Sequence, residues 1–213
     1  MSELAFSVRH VVAEPYAAAP QLTAKLHIEE TTRAVIHAIA LRCQVQIEPQ
    51  RRGYTPEETT GLTDQFGTRD RWSTTLKPFQ WMQCGVMVQG FTGAADVDMP
   101  LPVTYDFEVT ASKYLHSLRG GDVPLIFLFS GTVFTRGLNG FGVERVPWDR
   151  EARQKMPVAV WKELVELYFP GSGWLRLDHD TIAALSHYKS TRGLMTWNEA
   201  LWSLLVKAGE SVG

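Results

Sequence analysis

The stretch AVIHAIALRCQVQIEP, residues 34 to 49, sets the strongest limit on what this chain can fold into. Val35, His37, Ile39, Leu41, Cys43, Val45 and Ile47 fall on one face at period two, while Arg42, Gln44, Gln46 and Glu48 fall on the other. Successive side chains of a strand point to opposite sides, so the pattern is a long strand with one buried and one wet face. It returns in DVDMPLPVTYDFEVT, where Val97, Met99, Leu101, Val103, Tyr105, Phe107 and Val109 share a face opposite Asp98, Thr104, Asp106, Glu108 and Thr110. Pro100 and Pro102 withhold ladder donors, which makes the start of that segment an edge or an entry to the sheet.

Further strands are predicted at 6–13, 21–29, 81–91, 123–135 and 141–146. This many alternating segments, with few helices between them, argue an antiparallel β-sandwich or partly open barrel. The segment ASKYLHSLRGG reads as either a strand tail or a short helix stopped by Gly120 and Gly121.

After Trp148 the period lengthens. Trp161, Leu164, Val165 and Tyr168 follow the i, i+3, i+4, i+7 spacing of one helical face, with Pro157 suited to the first turn and Pro170-Gly171 ending it. A second helix is predicted from Asp178 to Lys189 with Ile182, Leu185 and Tyr188 inward. A third starts at Thr196, where Glu199 completes a capping box, and buries Trp197, Leu201, Leu204, Leu205 and Ala208. The expected fold class is therefore α+β: an antiparallel β domain over residues 1–150, then a helical extension of about three helices over 151–213 packed on it as one unit.

The β region is interrupted by QRRGYTPEETTGLTDQFGTRDRW, residues 50 to 72. Thr55-Pro56-Glu57-Glu58 is a capped helix start, so a short helical insert is expected near 55–66, with Gly67 ending it. Arg51, Arg52, Arg69 and Arg71 are balanced by Glu57, Glu58, Asp64 and Asp70. A phosphate-following groove needs surplus positive charge, so the stretch does not read as a nucleic-acid site. Arginine beside Tyr54 and Trp72 is the composition that protein interfaces favour, which makes Arg51, Arg52, Tyr54, Arg69, Arg71 and Trp72 interface candidates. Trp202 joins them. It sits about 100° from Leu201 around its helix, so it either widens the buried stripe or points out as an anchor.

Other motifs carry no chemistry. The glycines of GLNGFG precede a strand, not a helix N-terminus, and read as a hairpin turn. Asp180 and His187 would share a helix face about 10 Å apart, too far for one zinc, and His37 reads as a satisfied core histidine. Ser130 lacks a nucleophile elbow, and no catalytic, metal or cofactor site is expected. Two cysteines, Cys43 and Cys84, are too few for a disulfide framework. The net charge of -2, the absence of a secretory h-region and the lack of any long apolar run point to a cytoplasmic protein without membrane insertion, both thiols reduced.

The combination RCQVQIEPQRRGY, LPVTYDFEVTASKYLHSL, VPLIFLFSGTVF and VPWDRE resembles a bacterial, largely actinobacterial, family of unknown function over nearly the whole chain. The genes of that family often accompany those of [NiFe] hydrogenases and their maturation proteins. The resemblance implies an accessory or assembly role and transfers no active-site residue. The expected function is thus non-enzymatic: binding another protein, such as a hydrogenase subunit or maturation factor, with self-association left open. The alternative is a small-ligand-binding protein or enzyme with a pocket between sheet and helices.

Overall fold

The computed structural model describes residues 3–103, 110–137, 140–171 and 177–210. Its element order is β1 (Leu4–Ala13), β2 (Gln21–Glu30), β3 (Val35–Ile47), α1 (Pro56–Gly61), α2 (Thr63–Phe66), α3 (Trp72–Thr75), β4 (Phe79–Thr92), β5 (Ala94–Pro102), α4 (Thr110–Ser117), β6 (Asp122–Gly137), β7 (Gly140–Arg145), β8 (Glu151–Pro157), α5 (Val158–Tyr168), α6 (His179–Thr191) and α7 (Trp197–Lys207). Short 3-10 turns at Pro49–Arg51 and Arg69–Arg71 complete the insert between β3 and β4. The architecture is α+β, an open sandwich of two antiparallel sheets. One sheet runs β1-β2-β5. The other runs β4-β3-β6-β7, with β8 also paired to β6. Three helices follow the last strand, as expected, but α1 to α4 lie among the strands.

The predicted strands are present. Alternation drives Ile39, Leu41, Cys43, Val45 and Ile47 of β3 into the core, and Met99 and Leu101 of β5 reach it from the other sheet. Phe6 of β1 stacks on Phe129 of β6 at 4.6 Å between ring centroids, joining the two layers. The part of the second alternating segment from Thr104 to Val109 lies outside the described residues, as does Trp174.

Register irregularities account for the places where simple alternation fails. β3 is bulged against β6 between Ile36 and Ala38, and ahead of this point the phase is reversed. Ile36 is buried while Val35 and His37 are exposed, so His37 is not a core histidine. A second bulge, between Val45 and Gln46, sets Trp81 as the extra residue of β4, and Trp81 and Met82 are both buried. In β1 the extra residue is Arg9, which leaves Arg9 and His10 both exposed before Val11 restores the buried phase.

β6 is the long central strand. Its outer edge is shared end to end by β8, against Asp122 to Leu128, and β7, against Thr132 to Gly137. At the changeover Gly131 adopts φ 145°, and a Cβ there would run into the Ala40 carbonyl oxygen of β3. Only glycine fits that crossing. Gly137 pairs with Gly140 at the β6–β7 end, the hairpin expected of GLNGFG. The segment with two readings, 111–121, begins in helix α4.

The chain divides into two compact units, Met1–Gly173 and Trp174–Gly213. In the first, α5 lies against β1 and β8, burying Val158, Trp161 and Leu164, and Trp161 meets Trp81 edge-on at 6.3 Å. The second consists of α6 and α7, joined by a hydrogen bond between Tyr188 and Ser203 of 2.8 Å. The predicted capping box of Thr196 and Glu199 is made, and Asp178 caps α6 by accepting from the Thr181 N–H. The expected inward stripe is not. Ile182, Trp197 and Leu205 are 43%, 46% and 44% exposed, Ala208 is exposed, and Leu185, Tyr188, Leu201 and Leu204 are half-buried. Only Ala200 is fully buried among the described residues of these helices. A unit this small has too little volume to enclose an apolar stripe of its own.

Candidate functional site

The arginine-tyrosine stretch folds inward over much of its length. Thr55 caps α1, and the cap residue Glu58 is 1% exposed. The Glu58 carboxylate accepts from Thr55 N at 3.0 Å, Arg119 N at 2.7 Å and Arg52 Nη2 at 3.0 Å. Burial alone would raise its pKa. The backbone donors of Arg119 and Thr55, with the Arg52 charge, outweigh it and hold the carboxyl below the usual range. Arg52 also donates to the carbonyls of Asp122 and Gly120, tying the insert to β6 and the turn before it.

Tyr54 sits in the same knot. Its hydroxyl donates to the Pro49 carbonyl at 2.7 Å, so the 2.8 Å bond to Tyr114 must be donated by Tyr114. Burial pushes both phenols up, Tyr114 to about 12. Trp72 meets Tyr54 edge-on at 5.0 Å and donates to the Gly67 carbonyl. Arg52, Tyr54 and Trp72 therefore brace the join between β3 and β4.

The remaining arginines of the stretch face water. Arg69 and Arg71 are exposed on their 3-10 turn. Arg51 borders an open groove of about 320 Å³ with Glu48, Pro124, Leu125, Arg153, Gln154 and Lys155. Glu48 is 6% exposed and is paired with Arg51 at 3.5 Å and Arg153 at 3.2 Å, so one carboxylate offsets one of the groove's three positive charges, Arg51, Arg153 and Lys155.

A second open groove, of about 400 Å³, lies against β3, β4 and β6. Arg42, Gln44, Gln83 and Ser130 line it, with Trp148 from the β7–β8 connection, and no helix residue contributes. Trp148 is 94% exposed. A flat aromatic over amides and a hydroxyl can hold a polar, weakly apolar molecule by stacking and hydrogen bonds. Sequence reasoning missed these residues because Arg42, Gln44, Gln83 and Ser130 are the wet positions of separate strands. Only the pairing of Gln44 with both Gln83 and Leu128 brings them together.

In the second unit Trp202 is 53% exposed and Val206, one turn on, is 64% exposed; Met195, ahead of the helix, is 82% exposed. Lys189 lies over the Trp197 ring at 5.4 Å, and Arg192 over Tyr188 at 4.6 Å. Among the described residues no group of His, Cys, Asp or Glu is placed to hold a metal ion, and no helix is long and apolar enough to cross a membrane.

Sandwich, braced insert and helical pair define an α+β protein with open surface grooves and exposed apolar helix positions. The chain belongs to a family of unknown function, DUF6084, whose model matches residues 1–213. No curated protein matches it. Among solved structures it is similar to a beta-glucosidase from Kluyveromyces marxianus at 9% identity, with a TM-score of 0.25 over 73% of this chain and 15% of that one. It is also similar to beta-glucosidase 3B from Thermotoga neapolitana in complex with alpha-D-glucose, at 10% identity, TM-score 0.26, over 72% of this chain and 17% of that one.

Proposed function

We propose that this chain is a non-enzymatic accessory protein that acts by binding another protein, a subunit or maturation factor of a [NiFe] hydrogenase. The observation that carries the reading is the apolar surface of α7, where Trp202 and Val206 remain open to solvent on a helix with a complete capping box. Exposed clusters of large apolar side chains on a well-formed helix are the usual anchors of helix-in-groove recognition. The hydrogenase link rests on the resemblance of the motifs from RCQVQIEPQRRGY to VPWDRE, and the matching family has no assigned activity against which to weigh it. The test is affinity capture of the tagged full chain from its own host, together with hydrogenase activity in a deletion strain. Hydrogenase components in the eluate and loss of activity on deletion support the proposal. A bare bait with intact activity overturns it.

A second reading is favoured by Trp148: a small-ligand binder using the groove over Gln44, Gln83 and Ser130. Quenching of tryptophan fluorescence by a panel of small polar compounds, lost in Trp148→Phe, supports it; no response in the native chain removes it.

A further inference from the structure

β3 and β4 bring the two cysteines of the chain into direct register: Cys43 stands opposite Cys84. Residues directly opposite in an antiparallel pair carry their side chains on the same face, with Cα atoms about 4.5 or 5.5 Å apart. Both spacings lie within the roughly 4.4–6.8 Å that a disulfide spans. Here the shared face is the inner one. Cys43 is buried and Cys84 is half-buried, with its Sγ 3.6 Å from the Cys43 carbonyl and 3.4 Å from the Met99 Sδ of the facing sheet.

We propose that Cys43 and Cys84 are a reversible dithiol–disulfide site, oxidised by peroxides, with Cys84 as the attacking sulfur and Cys43 as the resolving one. The roles follow from geometry first. Cys84 is the member that solvent reaches, and the strand ladder holds Cys43 across from it, ready to resolve. Acidity agrees. The hydrogen bond from the Cys43 thiol lowers the Cys84 thiol below its ordinary value, while that same bond and burial push Cys43 up. A thiolate is the nucleophile in such chemistry, and it forms first where a neighbouring donor and partial hydration stabilise it.

The chemistry balances in two steps. The Cys84 thiolate attacks one oxygen of hydrogen peroxide. The S–O bond forms as O–O breaks, giving a sulfenic acid and a hydroxide that takes a proton to become water. Cys43 then attacks the Cys84 sulfur. The S–S bond forms, S–O breaks, and the departing oxygen takes the Cys43 proton as a second water. Two thiols have lost two electrons, and one peroxide has become two waters. The bond would close the loop over residues 44–83, which carries the helical insert.

The experiment treats the native full chain with stoichiometric hydrogen peroxide. Thiols are then blocked under denaturing conditions, and intact and peptide masses are read. The expected result is loss of both thiols in parallel, a chain lighter by two hydrogens, a Cys43–Cys84 linked peptide pair, and full reversal by dithiothreitol. In Cys43→Ser the sulfenic acid should persist on Cys84 and be trapped by dimedone. Cys84→Ser should leave Cys43 fully reduced at the same dose. Oxygen adducts on Cys84 of the native chain with Cys43 still reduced, a linkage between two chains, or oxidation only after urea unfolding would each overturn the proposal. Because the linked peptide is read in the native sequence, the outcome stands even where a serine variant folds poorly.

Discussion

Arg52 lays its guanidinium on the Glu58 carboxylate at 3.0 Å with both side chains almost out of water, 9% and 2% exposed. The pair bridges the residue after the first 3-10 turn and the third position of α1, so it holds the insert in its bend. Removing one partner of a buried pair leaves an uncompensated charge, which costs about 3–5 kcal/mol. Glu58→Ala should therefore lower the unfolding free energy, obtained from the urea midpoint and slope, by that amount. Arg71→Ala, on an exposed side chain, should change it by less than about 0.5 kcal/mol. Chemical denaturation followed by tryptophan fluorescence compares the two.

Acid should unfold the protein through two buried carboxylates. Glu30 is 4% exposed at the β2–β3 turn and accepts from Glu3 N, Thr32 N and Ala34 N, the last at 2.7 Å; the Thr32 hydroxyl also donates to it. Burial raises its pKa, but these donors prevail and hold it below the usual carboxylate range, as for Glu58. A depressed folded pKa favours the folded state above the unfolded pKa, and that contribution is lost as pH falls through the folded value. Stability should be flat from neutral pH to about pH 5 and decline below about 4.5. In Glu30→Gln the decline should be shallower, from a lower neutral plateau. Urea midpoints across pH 7 to 3 measure both slopes.

Gly131 is the position of β6 with no room for a side chain. At φ 145°, with the Ala40 carbonyl oxygen where its Cβ would stand, Gly131→Ala forces both a strained backbone and a displaced β3. Strain and overpacking together should cost about 3 kcal/mol or more. Gly93→Ala is the contrasting case: its φ of 79° is strained, but nothing lies within contact of the added methyl. It should cost only about 1 kcal/mol. Thermal unfolding of the two variants separates crowding from backbone strain.

How far the sequence revealed these features depended on whether a residue's role was local. The capping boxes at Thr55 and Thr196 are made within three residues and were legible. The long strands were too, since Leu41 to Ile47 repeat the same alternation. β8 was hidden because its inward positions give little apolar alternation: Ala152 is small, Gln154 is polar and spent on the Arg9 carbonyl, and Met156 alone is large and apolar. His37 was misplaced because a bulge depends on the partner strand. The internal roles of Arg52, Tyr54 and Trp72 needed Tyr114 and Arg119, about sixty residues on in sequence. The Cys43–Cys84 pairing and the Trp148 groove arise only from strand register, which no single segment encodes.

The proposed partner surface makes the last prediction. Trp202 and Val206 lie one turn apart on α7 and share a face. Neither is buried, so truncating them should leave helix content by circular dichroism unchanged. An aromatic anchor seated in a partner's groove contributes about 2 kcal/mol or more to binding, roughly thirty-fold in affinity. Trp202→Ala should therefore deplete the captured partner by that order, and Trp202→Ala with Val206→Ser should abolish capture. Trp148→Ala, on the other unit, should leave it intact. If both Trp202 variants retain the partner at native levels while the helices stay folded, α7 is not the docking face, and capture must run through another surface.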